Sequence, residues 1–274
     1  MIGLKCIELI GVEDGRGAYT VGGDQYWFPK EGYIPPGACG ATTGANLLAY
    51  MLRSRPELYA SAQKAGLDGL AAPVPQDDKP YHGLAAPVPP DLKRDHGLAG
   101  PVPPDDKPSH GLACPIPPEL KPYHGLAVPV PPNSKTGYLE FMKKAYKFLA
   151  PHIGGLMADD FVEGIERMAD EYSLPIATEL LKVPIARAKR PSFQDAASFI
   201  RASLEDDMPV AFLILSSGYV ANLDTWHWVT ILALDEDAGS VRIADNGKAL
   251  PADLGKWLET SIMGGAFVRL TEIC

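Results

Sequence analysis

The sequence predicts an α+β fold, with helices first along the chain and an antiparallel sheet after them. From Gly40 to Ser54, and again between residues 138 and 172, apolar residues recur at helical spacing. The last third of the chain instead holds short apolar or β-branched runs separated by turn residues, which is typical of strands. Helices grouped before strands in this way favour an α+β architecture.

The individual elements follow from local signals. The first helix is expected to end at the Arg-Ser-Arg-Pro stop of residues 53–56, and a later helix is expected to begin at Ser192, whose polar side chain suits a helix cap. The turn-forming residues 235–240 predict a hairpin between the two strands that flank them. The predicted helices are 40–54, Tyr138–Leu149, Asp159–Tyr172 and Ala196–Leu204, and the predicted strands are Pro209–Leu215, His227–Leu234, Ser240–Ala244 and Ala266–Leu270, with a possible small hairpin from Lys5–Val12 and Ala18–Val21.

Composition limits the possible partners. The chain has 274 residues, of which 46% are hydrophobic, so a sizeable core can form. A formal net charge of −9 disfavours nucleic acid and anionic membranes as partners. The N-terminus shows no signal peptide, and no membrane span is visible. Four cysteines without paired spacing indicate reduced thiols, so a cytoplasmic location is expected. No cofactor and no metal are expected.

Five repeats of 14 residues interrupt the chain between residues 68 and 137. Each carries Gly-Leu-Ala followed by a proline-rich stretch and a lysine, and four of the five begin with histidine. Prolines at this density exclude helix interiors and central strands, so polyproline II segments separated by turns are expected. The Gly-Leu-Ala units begin at Asp68, His82, His96, His110 and His124.

The repeats divide the chain into an insert, residues 68–137, and a domain made of residues 1–67 and 138–274. The insert is interpreted as an extended segment, with an ordered stack as the alternative, and it could serve as a spacer or as a docking surface for a partner with an aromatic groove. The repeat histidines do not predict a metal site, because no cysteine or carboxylate lies beside each of them at short ligand spacing.

Cys39 is the candidate nucleophile, since it lies where a loop enters the first helix. Unpaired N–H groups and the positive end of the helix dipole favour a thiolate there. Gly37, Ala38 and Gly40 are expected to leave room for a substrate backbone beside the sulfur, and Gly44 to let the helix approach the sheet.

His227 and Asp245 are the candidate partners of this cysteine. On a strand, Trp226 and Trp228 would point away from the side that carries His227, leaving the imidazole facing a cleft. An imidazole needs an acceptor on its second nitrogen, and Asp245, at the end of the next strand, is best placed, with Asn246 as the alternative. The Cys39 backbone N–H is one expected oxyanion donor, and Gln25 is the candidate for the second.

Cys39-Gly40-Ala41-Thr42-Thr43-Gly44-Ala45, with His227-Trp228-Val229-Thr230 and Asp245-Asn246-Gly247, resembles the papain-like cysteine peptidase superfamily. It is most similar to the bacterial peptidase domains that remove double-glycine leaders from bacteriocins. The resemblance implies a papain-like fold in which the catalytic helix packs on the sheet. It also implies a nucleophile at Cys39, a base at His227 and an orienting carboxylate at Asp245. That family usually places a glutamine about half a dozen residues before the cysteine, whereas Gln25 lies further upstream.

Three functions therefore remain open from the sequence. The first is a cysteine peptidase that cleaves a peptide or related amide through Cys39, His227 and Asp245. The second is a papain-fold binding module without activity, which the displaced glutamine suggests. In the third, the 14-residue units bind a partner protein or are released by processing.

Overall fold

The computed structural model of the protein describes residues 1–28, 35–72, 133–149, 151 and 155–273. They belong to one compact unit, formed by residues 1–84 and 130–274. A second unit, residues 85–129, lies outside the described residues, and so do the predicted polyproline conformation and any stacking of the repeats.

The described residues form helices and an antiparallel sheet, an α+β arrangement. The helices are α1 (Ala38–Ser54), α2 (Pro56–Lys64), α3 (Lys135–Leu149), α4 (Ala158–Glu171), α5 (Phe193–Glu205) and α6 (Leu254–Thr260). The strands are β1 (Ile2–Gly3), β2 (Gly11–Glu13), β3 (Tyr19–Val21), β4 (Asn133–Ser134), β5 (Ile176–Val183), β6 (Val210–Ile214), β7 (His227–Asp235), β8 (Ser240–Asp245), β9 (Lys248–Asp253) and β10 (Gly265–Glu272).

The main sheet has the strand order β5-β10-β6-β7-β8-β9, all antiparallel, and β1 pairs with the far end of β7. Every residue of β6 is buried, so both faces of the sheet are covered at its centre. The helices α1, α4, α5 and α6 all contact the sheet. A smaller sheet has the order β3-β2-β4, in which β2 and β4 are parallel.

Helix α1 is the central element of the core. All its residues except Cys39 are buried, because α3, α4 and β7 pack around it. Its small residues permit this close packing. A Cβ on Gly44 would lie 3.2 Å from Ile165 of α4 and 3.3 Å from Leu149 of α3. The expectation that Gly44 serves the approach to the sheet is therefore wrong, because this glycine faces two helices.

The glycines before and after Cys39 also differ from expectation. A Cβ on Gly37 would lie 2.3 Å from Pro151, and one on Gly40 would lie 2.5 Å from Leu156. The space that these small residues leave is thus filled by the segment that precedes α4 and is not open to a substrate backbone. Gly37 also has a φ of 73°, in the left-handed region that favours glycine, where it caps α1.

The two ends of the predicted insert meet at one place, here called the neck and defined as residues 68–72 and 133–137. The fully buried Asn133 side chain accepts a hydrogen bond from Ala71 N (3.0 Å) and donates to Gly11 O (3.0 Å) and Leu9 O (3.3 Å). The buried Arg53 guanidinium also donates to Leu9 O, at 2.7 Å. Polar groups buried in this way stay stable only while they are hydrogen-bonded, so they fix both ends of the insert to the domain.

Further contacts tighten the neck. The backbones of Gly69 and Gly137 approach so closely that a Cβ on either would lie 2.5 Å from the carbonyl oxygen of the other. Lys144 of α3 forms an ion pair with Asp68.

In the part of the chain that the structure describes, the helices are too short or too polar to cross a membrane.

Candidate active site

Cys39 is the second residue of α1, where backbone N–H groups have no acceptor within the helix. The helix starts abruptly, because Gly37 in the left-handed conformation turns the chain and Gly37 O accepts the first helical hydrogen bond from Ala41 N (3.0 Å). Cys39 is half-buried, whereas its neighbours Ala38 and Gly40 are buried. The thiol therefore lies at the surface of a helix that is otherwise enclosed.

His227 and Asp245 meet across the β7–β8 hairpin. The His227 Nε2 atom lies 2.7 Å from Asp245 Oδ1, and the side chains are 8% and 12% exposed. The register of the hairpin, in which Thr230 pairs with Ala244, brings the start of β7 beside the end of β8. The bond to Asp245 occupies Nε2, which leaves Nδ1 as the ring nitrogen that can interact with Cys39 in the same cleft.

The charge state of His227 follows from its neighbours. Burial is the largest influence and by itself lowers the pKa, because the charged ring loses water. The hydrogen bonds and charge interactions with Asp245 and Cys39 act in the opposite direction and together raise the pKa from 6.5 to about 10. His227 is therefore an imidazolium ion at neutral pH, able to stabilise an anion beside it and to give up a proton.

A small cleft adjoins these three side chains. Besides Cys39, the α1 residues that line it are Thr42, Thr43 and Asn46, which share one face of the helix. His227, Trp228, Asp245 and Asn246 line it as well, and Gly23 approaches it from the N-terminal segment. A larger cavity of about 300 Å³ lies towards the other end of α1, next to Met51 and Arg55, and does not adjoin Cys39.

The two tryptophans beside His227 do not share one side of a strand as expected. Strand β7 begins only at His227, so Trp226 belongs to the preceding turn, with a φ of 59° and 54% of its surface exposed. Trp228 is buried, stacks on Phe161 with 4.3 Å between ring centroids, and donates from Nε1 to Leu156 O at 2.8 Å. Trp228 thus fixes the start of β7 against α4, while Trp226 lies open next to the site.

Asn46 is a residue of the site that the sequence analysis missed. Its side chain is 2% exposed, accepts hydrogen bonds from Gly23 N (3.0 Å) and the Tyr138 hydroxyl (2.8 Å), and donates to Thr230 Oγ1 (3.1 Å). One amide thus ties the cysteine helix to the histidine strand, to α3 and to the wall of the cleft. An amide seven positions after Cys39, and so on the same face of the helix, was the available signal.

The other two candidate residues, Gln25 and Asn246, differ in their position relative to the cleft. Gln25 is half-buried in a short 3-10 turn, Gln25–Trp27, and is not among the residues that line the cleft. Its role as an oxyanion donor stays a prediction, and the position six to seven residues before Cys39 lies outside the described residues. Asn246 follows β8 with a φ of 46° and lines the cleft, but Asp245 is the residue that bonds to His227.

Comparisons with known proteins find similarity among solved structures. No protein-family model matches this chain, and no curated protein does. Among solved structures, the chain is similar to the peptidase domain of Streptococcus ComA, described as a bifunctional ABC transporter involved in a quorum-sensing pathway. The match has a TM-score of 0.29 and 11% sequence identity, and it covers 48% of this chain and 77% of the ComA domain. At that level the similarity does not define a family.

Proposed function

We propose that the protein is a cysteine peptidase that cleaves a peptide or related amide with Cys39 as nucleophile, His227 as acid and base, and Asp245 as the group that orients His227. The observation that carries this proposal is the 2.7 Å bond between His227 Nε2 and Asp245 Oδ1, with Cys39 lining the same cleft as the imidazole. A buried imidazolium held between a carboxylate and a thiol is the arrangement that cysteine-based acyl transfer requires.

The chemistry follows from the positions of these groups. The sulfur of Cys39 attacks the carbonyl carbon, the C–S bond forms, and the carbonyl electrons move to oxygen. The backbone N–H of Cys39, in the first turn of α1, can donate to this oxyanion. As the C–N bond breaks, His227 gives its proton to the leaving amine, and a thioester remains on Cys39.

The second half returns the enzyme to its starting state. Neutral His227 takes a proton from a water molecule, which attacks the thioester carbon. The C–S bond then breaks, a carboxylic acid leaves, and Cys39 and His227 are again a thiolate beside an imidazolium. Asp245 keeps the ring in one orientation throughout, because its bond to Nε2 leaves Nδ1 for the proton transfers.

The insert has a separate role in this proposal, as a spacer or docking segment for a protein partner. The neck supports this role because it attaches both ends of the insert to the domain by contacts among residues 68–72, 133–137 and their buried partners. Release of repeat units by Cys39 would appear as mass losses in steps of 14 residues in aged wild-type protein. Such losses should be absent from the Cys39→Ala variant.

The main test is covalent capture of Cys39 by a peptidyl vinyl sulfone, read by mass spectrometry of the intact protein and its peptides. We expect one adduct, on Cys39, that is absent in Cys39→Ala and retained in Cys6→Ala, the matched control. Equal labelling of wild type and Cys39→Ala would contradict the proposal. Labelling of Cys39 without turnover of any peptide in a diverse library would instead indicate an inactive binding module.

A further inference from the structure

A third ionisable side chain converges on the His227–Asp245 pair. Asp224 lies in the loop before β7, and possible ligand atoms of Asp224, His227 and Asp245 all lie within 4.8 Å of one another. Asp224 is exposed, Asp245 is half-buried and His227 is buried. The peptidase chemistry uses His227 and Asp245 but gives no role to Asp224.

The loop that carries Asp224 is tied down on both sides of it. Ser217 N donates to Thr225 Oγ1 at 3.1 Å, and Asn222 Nδ2 donates to Pro251 O of β9 at 2.8 Å. The backbone on both sides of Asp224 is therefore held by hydrogen bonds, while the residue itself is exposed. An exposed carboxylate on such a loop can turn towards an ion.

Once His227 has lost its ring proton, as metal binding requires, the nearest charges are the Asp224 and Asp245 carboxylates, which favour a cation. Besides Asp224 and Asp245, the Asp24 carboxyl lies near enough to Asp245 for the two charges to interact, and it is half-buried. Lys135 and Lys248 are the positive groups whose charges act on Asp24, and Lys135 has the larger effect. Two carboxyl groups thus lie beside the imidazole, and a third interacts with one of them.

We propose that Asp224, His227 and Asp245 form a binding site for a divalent transition-metal cation of the Zn²⁺ class. An imidazole nitrogen with two carboxylates is a ligand set that Zn²⁺ accepts, whereas Mg²⁺ and Ca²⁺ prefer oxygen ligands alone. Zn²⁺ ligands lie about 2.0–2.2 Å from the ion and so roughly 3.3 Å from one another in tetrahedral geometry. The exposed Asp224 carboxylate therefore has to move inward by about 1 Å or more.

The bound ion and the His227–Asp245 hydrogen bond exclude one another. Nε2 has one lone pair, so an ion at this atom takes the place of the proton that Nε2 shares with Asp245, and that proton is released to solvent. The metal-bound form would thus lack the hydrogen bond that orients His227. Loss of this hydrogen bond can be measured at His227 itself, because the proton in a short, buried His–Asp bond gives a low-field ¹H NMR resonance.

The experiment is a Zn²⁺ titration of the full chain carrying Cys39→Ser, followed by ¹H NMR of the His227 ring, with the signals assigned by their loss in His227→Gln. The serine removes a competing thiol, and it also removes the proposed nucleophile, so the result does not depend on the peptidase proposal. Reading His227 itself avoids confusion with Zn²⁺ bound by the repeat histidines. We expect the low-field signal to disappear as Zn²⁺ is added, and Mg²⁺ to have no effect.

The matched pair of variants is Asp224→Asn and Asp237→Asn, both in the Cys39→Ser chain. Asp237 is an exposed carboxylate in the β7–β8 turn. Asp237→Asn therefore makes the same chemical change as Asp224→Asn, but away from the cluster. Asp224→Asn should weaken the Zn²⁺ response of His227 about tenfold or more, and Asp237→Asn should leave it as it was. Equal affinity in the two variants would overturn the proposal, as would His227 signals that do not respond to Zn²⁺.

Discussion

Two half-buried thiols, Cys6 and Cys39, lie in opposite electrostatic surroundings. Cys39 has the imidazolium of His227 beside it, whereas the Cys6 thiol donates to Glu8 Oε2 at 3.4 Å. Burial, followed by the charge and hydrogen bond of Glu8 and the charge of Asp207, raises the pKa of Cys6 to about 12, although Arg53 acts against this shift. The degree of exposure therefore does not distinguish the two thiols, whereas the sign of the neighbouring charge does.

Removal of the imidazolium should have the largest effect on the ratio of the alkylation rates of Cys39 and Cys6. In the wild type at pH 6.5, we expect iodoacetamide to alkylate Cys39 much faster than Cys6. His227→Ala should lower the ratio of the two rates about 100-fold, because a thiolate at residue 39 loses its neighbouring cation. Peptide mass spectrometry reads both cysteines in one sample. Cys39 and Cys6 reacting equally in the wild type would contradict the proposed ion pair.

Asp245→Asn should have a smaller effect, since it keeps the shape of the side chain and removes its charge. The ratio of alkylation rates should fall about tenfold, equivalent to about 1.4 kcal/mol.

The pH dependence of the free energy of unfolding should change in Asp245→Asn as well. Because the folded-state pKa of His227 is above 6.5, its proton stabilises the fold fully below about pH 6.5, and this contribution is lost as the pH rises towards 10.

Urea unfolding at pH 6.5 and pH 9.5 measures that contribution. The wild type should lose stability between the two values, and Asp245→Asn should lose less, because its His227 binds the proton less tightly. An identical loss in both proteins would show that Asp245 does not hold the proton on His227.

Asn46→Ala tests the support of the site. It leaves Gly23 N and the Tyr138 hydroxyl without their buried acceptor, so the free energy of unfolding should fall by about 1–3 kcal/mol. The alkylation ratio should fall several-fold through slower reaction of Cys39. Cys6 serves as the internal control, because faster reaction of both thiols would indicate a loosened protein and contradict a specific positioning role.

The smallest expected effect comes from Glu8→Gln, which changes the inert thiol. Burial remains, but the nearest negative charge is lost, so Cys6 should react about threefold faster at pH 8.5. Glu57→Gln, on the exposed side of α2, is the control and should leave Cys6 unchanged. An equal rate in the two variants would mean that burial alone protects Cys6.

Elements with strong local signals were predictable from the sequence. The α5 start at Ser192 has both bonds of a capping box with Asp195, and β7 and β8 pair as the turn residues between them indicated. Strands β5 and β9 were missed. The β5 residues are mostly half-buried, and β9 contains Lys248 and Pro251, so each lacks the apolar run that marks a buried strand.

The site was predictable only in part, because its supporting residues come together through tertiary structure. Cys39, His227 and Asp245 could be chosen by residue type and chain order, and the fold places them in contact, although their catalytic role stays a prediction. Asp224 could not be chosen, since it belongs to no local motif, and Asn46 had only the weak signal of an amide seven positions after Cys39. The filling of the space beside Gly37 and Gly40 depends on Pro151 and Leu156, more than a hundred residues away in the chain.

The neck has a consequence for how this chain can change over evolutionary time. Because the Asn133 side chain bonds to Ala71 at the other end of the insert and to Gly11 of the domain, we expect the core to be the same whichever number of 14-residue units lies between Ala72 and Asn133. Lengthening a closed loop twofold costs only about 0.6 kcal/mol in chain entropy. Unequal copying of the repeated gene segment can therefore add or remove whole units at little cost, and proteins with this domain should tolerate variants that differ in copy number.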